Sequence, residues 1–449
     1  MLEQKFSKFR KEIIGIDQCF RSPFGIKKIH YADWTASGRL YAPIEKILQK
    51  NFGPFVANTH TETTVTGSSM TMAYHHAGQI IKDHVGANEH DVLIKANSGM
   101  TGVVNKLQRI LGLRVHEKYR DNIIDNLKEN ERPIVFITHM EHHSNQTTWL
   151  ETICEVEVIE PDKNGRVCLK NFAQLLEKYK DRKTKIAAIT SCSNVTGIFT
   201  PYHQMAAMIH AYDGWCFVDF ACSAPYININ MHPENKAEKL DAIYFSPHKF
   251  LGGPGSSGIL IFCSSLYNNK VPDNPGGGTV DWTNPWGGHK YSDEIELRED
   301  GGTPAFLQTI KVALSMKLKD EMGVENIRQR EEEILEKIWE KLDPVENIHI
   351  LANHIKQRLP VISFYIDDLH FNLAVKMLND KCGIQVRGGC SCAGTYGHYL
   401  LAVSKQQSKQ ITDSINCGIY KDKPGWIRMS FHPTMTDEEV DYILDCVLA

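Results

Sequence analysis

The segment SPHKFLGGPGSSGILIF (246–262) places Lys249 just beyond a short apolar run, between His248 and Phe250 and ahead of a glycine-rich turn. A lone lysine is ordinarily a solvated surface group, but a buried strand end is a poor place for a hydrated ammonium. Desolvation lowers an amine's pKa, and a neutral amine can condense with an aldehyde cofactor. Asp219 lies inside CFVDFACSAPY, so apolar a run that a carboxylate there needs a cationic partner. A protonated pyridine nitrogen would be one, and the pair would turn the ring into a store for electrons; a structural salt bridge is the alternative. Cys392, in VRGGCSCAG, follows Arg387 and sits among Gly, Ser and Ala. Exposure and nearby positive charge favour a reactive thiolate there, although most free cysteines are inert core residues. Arg428, in WIRMSFHP, alternates to the polar face of its predicted strand, and its planar fork suits a carboxylate.

These groups need elements to position them. DVLIKANSG (91–99), RPIVFITHME (132–141), KIAAITSCSN (185–194), WCFVDFACS (215–223) and LDAIYFSPH (240–248) each read as a buried strand ending in polar residues. Helical patterns over 101–113 and 201–212 lie between them. The alternation predicts an α/β fold with a mostly parallel sheet, whose ligands collect at the carboxyl ends of the strands. Asp219 and Lys249 then end successive strands. Thr101 opens a helix with Val103, Val104, Leu107 and Leu111 on its apolar face, a start that suits an anion and equally a plain N-cap. A charged helical region over 304–342, interrupted near Gly323, leads to a strand–helix–strand tail, PVISFYID, LHFNLAVKMLND and GIQVRGG. GWIRMSFHP alternates as a strand, and Thr436 with Glu439 forms a capping box opening the last helix. The chain divides into an N-terminal segment (1–30) packing with the small domain, a large domain (31–315) and a smaller C-terminal α/β domain (316–449).

Whole-chain composition narrows the function classes. The 449 residues are 42% hydrophobic and 23% charged, ordinary for a globular protein. A net charge of −4, with no run of Lys and Arg, gives no reason to expect nucleic acid or an anionic membrane as partner. No apolar stretch reaches the length of a membrane span, and the N-terminus lacks a signal peptide's apolar core. Twelve irregularly spaced cysteines without an export signal are expected to be reduced thiols in the cytoplasm.

With these motifs in order, the sequence resembles the aminotransferase class V family of fold-type I pyridoxal 5′-phosphate (PLP) enzymes. Within it, the chain is most similar to the cysteine desulfurase and selenocysteine lyase branch. The resemblance runs from about Tyr31 to the C-terminus, through YADWTASGR, SGMTG, MEHHSN, SNVTG, VDFA, SPHK, GGGT, GGTP, VRGGCSCA and IRMSFHPT. It implies a PLP Schiff base on Lys249 and a pyridine nitrogen held by Asp219. It places Thr101, Ser246 and His248 on the phosphate, His142 rather than His143 stacked on the ring, and Asn194 at the phenolic oxygen. On its own an Asn before Gly-rich sequence is usually a turn, and a His pair structural or metal-binding; no second ligand pair at zinc-like spacing supports a metal. Thr279 resembles a residue that reaches the phosphate of a neighbouring subunit, implying a homodimer. Arg428, with Arg387 nearby, would grip the substrate carboxylate. Cys392 would take sulfur from L-cysteine as a persulfide, leaving alanine, with a sulfur-acceptor protein as a possible partner; a selenocysteine substrate would need only its selenium released.

Three departures bear on the substrate. Cys222 stands where the family usually has glutamine, so that a contact to the cofactor oxygen is lost or passes to Ser223. The segment 393–425 is long and includes an extra helical stretch over about 398–417 that could reshape the entrance. Cys390 makes a C-S-C pair with Cys392, either resolving a persulfide or filling space. Transamination, another C–S cleavage or epimerisation of a different amino acid is the alternative activity. A catalytically idle homologue serving as a binding scaffold is the remote one.

Overall fold

Runs of β-branched and aromatic residues almost free of charge build the central sheet. The computed structural model describes residues 2–59, 61–421 and 423–449. Among these, seven strands form one sheet: β1 (Asp91–Ala96), β2 (Ile134–Thr138), β3 (Glu155–Ile159), β4 (Lys185–Thr190), β5 (Trp215–Asp219), β6 (Ala242–Phe245) and β7 (Gly258–Cys263). Their order is β1-β7-β6-β5-β4-β2-β3. The pairs β2–β3, β2–β4, β4–β5 and β5–β6 are parallel, while β7 runs against both β1 and β6. The five expected strands are present. β3 and the antiparallel pairing of β7 complete the sheet, and β3 escaped the sequence pattern because EVEVI carries two glutamates.

Side chains along each strand alternate between two cores, as a period of two requires. Phe136 and Ile189 join the core on one face, and Ile137 and Ala188 that on the other. Helices cover both faces, so the sheet is buried on both sides, as a parallel sheet must be.

A second sheet is antiparallel: β8 (Ile348–Ile350), β9 (Val361–Ile366), β10 (Arg387–Gly389) and β11 (Trp426–Ser430), in the order β8-β9-β11-β10. GIQVRGG, expected as one strand, is split at Val386. Ile384–Gln385 pairs in parallel with the N-terminal His30–Tyr31, and only Arg387–Gly389 joins β11. The expected boundary near 315 falls inside a continuous helix, Phe306–Met322. The break comes at Gly323, whose φ of +80° a residue with a side chain rarely adopts, before the helix Val324–Leu342. The capping box at Thr436 is half made. Its hydroxyl accepts the Glu439 N–H, but the Glu439 carboxylate turns to Arg10 and His30. A complete box caps the helix Lys405–Asn416 at Ser404 and Gln407. The single helical stretch expected over about 398–417 is two helices, Gly394–Leu400 and Lys405–Asn416.

The first helix, Leu2–Arg10, inserts Phe6 and Phe9 into the core shared by Ile327, Ile334 and Ile443 of the C-terminal half. Both rings are about 1% exposed. Phe9→Ala should therefore cost about 3–5 kcal/mol through lost burial and the cavity left behind. A urea titration followed by tryptophan fluorescence should show the midpoint falling; an unchanged midpoint would mean that this helix docks without its ring.

Candidate active site

Lys249 occupies a single 3-10 turn, Pro247–Lys249, just past β6, and Asp219 is the last residue of the adjacent parallel strand β5. Gly38, from the YADWTASGR segment, is packed onto that turn: its N–H donates to the His248 carbonyl at 2.9 Å. A Cβ there would sit 2.0 Å from the Phe250 carbonyl oxygen, so only glycine permits the approach. The turn, β5, β4 and the start of the helix Gly99–Ile110 enclose a cavity of about 200 Å³. Lys249, Asp219, His142 and Asn194 line it, as do Thr101, Ser246, His248, Cys392, Arg387 and Arg428. Thr279 alone among the expected site residues is elsewhere, its hydroxyl donating to Gly276 within its own loop at 2.6 Å.

At one end the cavity is shaped for an anion. Ser246 Oγ accepts the Met100 N–H at 2.8 Å, and Thr101 Oγ1 lies 2.7 Å from Ser144 Oγ. Hydroxyls gathered at a helix N-terminus with its unpaired N–H groups suit a phosphate. Ser144, within MEHHSN, has no role legible in the sequence; it stands in the first turn of the helix His143–Leu150, where its N–H donates to His142 Nδ1 at 3.1 Å.

The middle of the cavity is electrostatically unusual. Burial pulls Lys249 below the ordinary lysine range, against the opposing pull of Cys222 and Asp219, and Arg428 and Arg387 push it further down. Burial raises Asp219 to about 6, opposed by the Ala221 N–H on Oδ1 at 2.8 Å and by Lys249. Burial and the positive charge of Lys249 lower His142 to about 3, so its ring is neutral and fit to lie against an aromatic cation. Two buried polar atoms, Asn194 Oδ1 and Arg428 Nε, have no hydrogen-bond partner among the described residues. An amine, an acid, a neutral imidazole and an anion cradle fit a phosphorylated pyridine aldehyde.

At the other end, Arg428 is only 2% exposed in a strand buried throughout; its neighbours Ile427 and Met429 pack in the C-terminal core, while Arg428 lines the cavity. Its charge is met instead by Asp33, 2.6 Å from Nη2, while Nη1 donates to the Asn194 carbonyl at 3.1 Å. The second Asp33 oxygen accepts from Arg387 at 3.1 and 3.2 Å. Asp33 was quoted in YADWTASGR without a role, since its partners lie more than three hundred residues away. Cys392 is exposed on a loop in which Ser391 and Cys392 both have positive φ, +51° and +58°. Such residues cost about 1–2 kcal/mol each in this conformation. The loop is pinned by Asn194 Nδ2 on the Ser391 carbonyl (2.8 Å), the His143 N–H on the Cys392 carbonyl (2.7 Å) and Gly394 N–H on His143 Nε2 (3.0 Å). His143 therefore holds the loop rather than facing the cavity. Ser223 cannot take over a cofactor contact, because it is fully buried with its hydroxyl 2.6 Å from Ser191 Oγ. Cys390 packs at the edge of the main core and Cys222 lines the cavity.

The family model described as Aminotransferase class-V matches residues 30–443. A probable cysteine desulfurase of Staphylococcus aureus (strain COL) is 26% identical over 371 residues, 82% of this chain and 84% of that protein. A probable cysteine desulfurase of Staphylococcus epidermidis is also 26% identical, over 376 residues and the same shares of each chain. Among solved structures, the apo cysteine desulfurase of Thermococcus onnurineus NA1 has a TM-score of 0.74 at 23% identity, covering 98% of this chain and 96% of that one. The cysteine desulfurase CsdA of Escherichia coli has the same score at 17% identity, covering 98% and 97%. The seven-stranded, mostly parallel α/β fold is theirs.

Two outcomes follow from the site's charges. Asp33→Ala leaves the buried Arg428 guanidinium uncompensated and should cost about 3–5 kcal/mol in urea unfolding, whereas Arg387→Ala, at an exposed partner, should cost at most about 1 kcal/mol. Equal losses would show that Asp33 does not carry the buried charge. For His142, unfolding exposes a ring that protonates near 6.5, while the folded ring stays neutral down to about 3. Its burial therefore stabilises fully above about pH 6.5 and is lost as pH falls towards 3. In urea midpoints measured against pH, His142→Gln should flatten that fall; an unchanged slope would mean that this ring does not supply it.

Proposed function

Because the chain belongs to the class V aminotransferase family, whose members are normally PLP enzymes, we propose that it is a PLP-dependent cysteine desulfurase or selenocysteine lyase. It would take sulfur or selenium from the amino acid and leave alanine. The observation that carries this reading is an exposed, pinned thiol, Cys392, opening on the same cavity as Lys249 and two arginines. The curated relatives named above are themselves probable cysteine desulfurases.

Bound in this cavity, PLP supplies an electron sink for the α-carbon of the amino acid. The chain's residues do the rest. Lys249 would hold the cofactor's aldehyde carbon and, when free, would take the α-proton on Nζ; its lowered pKa leaves that nitrogen able to accept. Asp219 would pair with the pyridine nitrogen, and a positive charge there would favour the ionised form of the buried carboxyl. His142 would lie on the ring, Asn194 would meet the ring oxygen, and Thr101, Ser246 and His248 would take the phosphate with the amides at the helix start. Arg428 and Arg387 receive the substrate carboxylate, sharing their charge between it and Asp33. The Cys392 thiolate attacks the substrate sulfur; the new S–S bond forms as the C–S bond breaks, and a persulfide remains on Cys392. A sulfur-acceptor protein removes it. Thr279, outside its own chain's cavity, serves the phosphate site of a second subunit in a homodimer.

Incubation with L-cysteine and a thiol reductant should release alanine and sulfide in equal amounts. Cys392→Ala should lose at least a hundredfold of that rate while keeping the yellow cofactor; Lys249→Ala should lose the borohydride-reducible adduct. No sulfide or selenide from either amino acid refutes the reading. Turnover of a different amino acid that survives Cys392→Ala would move the protein to transamination, another C–S cleavage or epimerisation.

A further inference from the structure

Two further thiols, Cys192 and Cys222, line the same cavity and have no part in the chemistry above. They follow the adjacent parallel strands β4 and β5, on loops that the structure ties together. Ser191 Oγ meets Ser223 Oγ at 2.6 Å, and the Ser191 N–H donates to the Asp219 carbonyl at 2.9 Å. The next residue inward on each loop is a cysteine. Both Sγ atoms converge on one acceptor, the Ser193 carbonyl oxygen, Cys192 at 3.8 Å and Cys222 at 3.6 Å. Cys192 is fully buried and Cys222 is 4% exposed, its surface facing the cavity. With two small side chains pointed at one oxygen from loops already bonded together, little backbone movement separates thiol pair from disulfide.

We propose that Cys192 and Cys222 are an oxidisable pair, closed to a disulfide by a small hydroperoxide entering the cavity. The assignment is independent of which amino acid the enzyme takes. Cys222 reacts first, being the one of the two with surface exposed. Its thiolate attacks hydrogen peroxide, the O–O bond breaks, and after proton uptake a sulfenic acid and one water result. The Cys192 thiol then displaces the hydroxyl: the S–S bond forms, the S–O bond breaks and a second water leaves. Two thiols are oxidised and one peroxide is reduced to two waters. The thiol of Cys222 is drawn below the ordinary cysteine range by its hydrogen bond to Cys192 and by Lys249 and Arg428, which favours it as the attacking group. Closure removes the Cys222 thiolate, one of the two acids that oppose the depression of Lys249, and leaves the amine with Asp219.

The test uses the full-length protein with Cys390→Ser and Cys392→Ala, so that the exposed C-S-C pair cannot contribute. After millimolar hydrogen peroxide, trapping of free thiols with iodoacetamide under denaturing conditions and non-reducing digestion, mass spectrometry should find the Cys192 and Cys222 peptides joined. The linked product should be 2 Da lighter than the two thiol peptides and reopen with dithiothreitol. Cys192→Ser should abolish the link and instead accumulate sulfenic acid at Cys222, trapped with dimedone. Recovery of both cysteines as carbamidomethyl peptides overturns the proposal, as does the joining of either to any other cysteine. Because the readout is a mass and not turnover, it stands or falls apart from the desulfurase assignment.

Discussion

An amine and a carboxyl, each carried out of water at the end of neighbouring parallel strands, are the constraint from which the rest of this structure follows. Neither Lys249 nor Asp219 holds its ordinary charge comfortably: burial pulls the first down and pushes the second up to about 6. Stability alone would replace such groups with apolar ones. Their retention makes sense only where an incoming molecule supplies the missing charge, which is why strongly perturbed groups gather at sites of chemistry. The parallel sheet brings them together without further design, since every strand of the set β4, β5 and β6 ends on the same edge. The Gly38 contact then fixes the lysine turn at backbone distance, tying the site to the N-terminal segment.

That segment also carries the second constraint. Asp33 spans Arg387 and Arg428, so one carboxylate from the beginning of the chain sets the direction of two guanidiniums near its end. The buried member of the trio, Arg428, needs this partner more than the exposed one does, because a guanidinium without a counter-charge in a dry interior is costly. The same two ends of the chain meet again where His30–Tyr31 pairs with Ile384–Gln385 and where Phe6 and Phe9 fill the C-terminal core. The site is thus closed by contacts between residues far apart in sequence.

Distance in sequence also explains what could be read beforehand. Lys249, Asp219, Thr101 and the strand alternation were legible because each rests on local pattern: an apolar run, its polar end, a helix start. The break at Gly323 was legible because glycine there has no substitute. β3 was missed because Glu155 and Glu157 disguise a strand whose charges are met by Arg182, Lys178 and Tyr179. The half-made box at Thr436 failed because Glu439 had better partners in Arg10 and His30, which no local pattern names. Alternation put Arg428 opposite Ile427 and Met429, as the structure has it, but gave no hint that this side is buried and that Asp33 meets the charge. The role of Asp33 and of His143 depends on long-range partners, and composition carries no trace of them.

The Cys392 loop brings the two kinds of information together. A thiol that must reach a substrate in a cavity of about 200 Å³ cannot sit on a floppy chain without paying the entropy of ordering at every encounter. Two successive left-handed residues without glycine, Ser391 and Cys392, are unfavourable locally. Three hydrogen bonds from Asn194, His143 and Gly394 offset that strain by binding the loop to the helix that His142 caps and to the strand end that carries Asn194. Asn194, His142 and the thiol, which line one cavity, are therefore tied together: whatever moves Asn194 or the MEHHSN turn moves Cys392 with it. Of the two helices after this loop, the first is anchored by Gly394 on His143, Thr395 on Gln146 and the buried Tyr396 beside Thr196, whereas Lys405–Asn416 contributes no buried side chain. The long 393–425 segment thus starts as part of the site and ends as surface, which allows its far half to vary without disturbing the thiol.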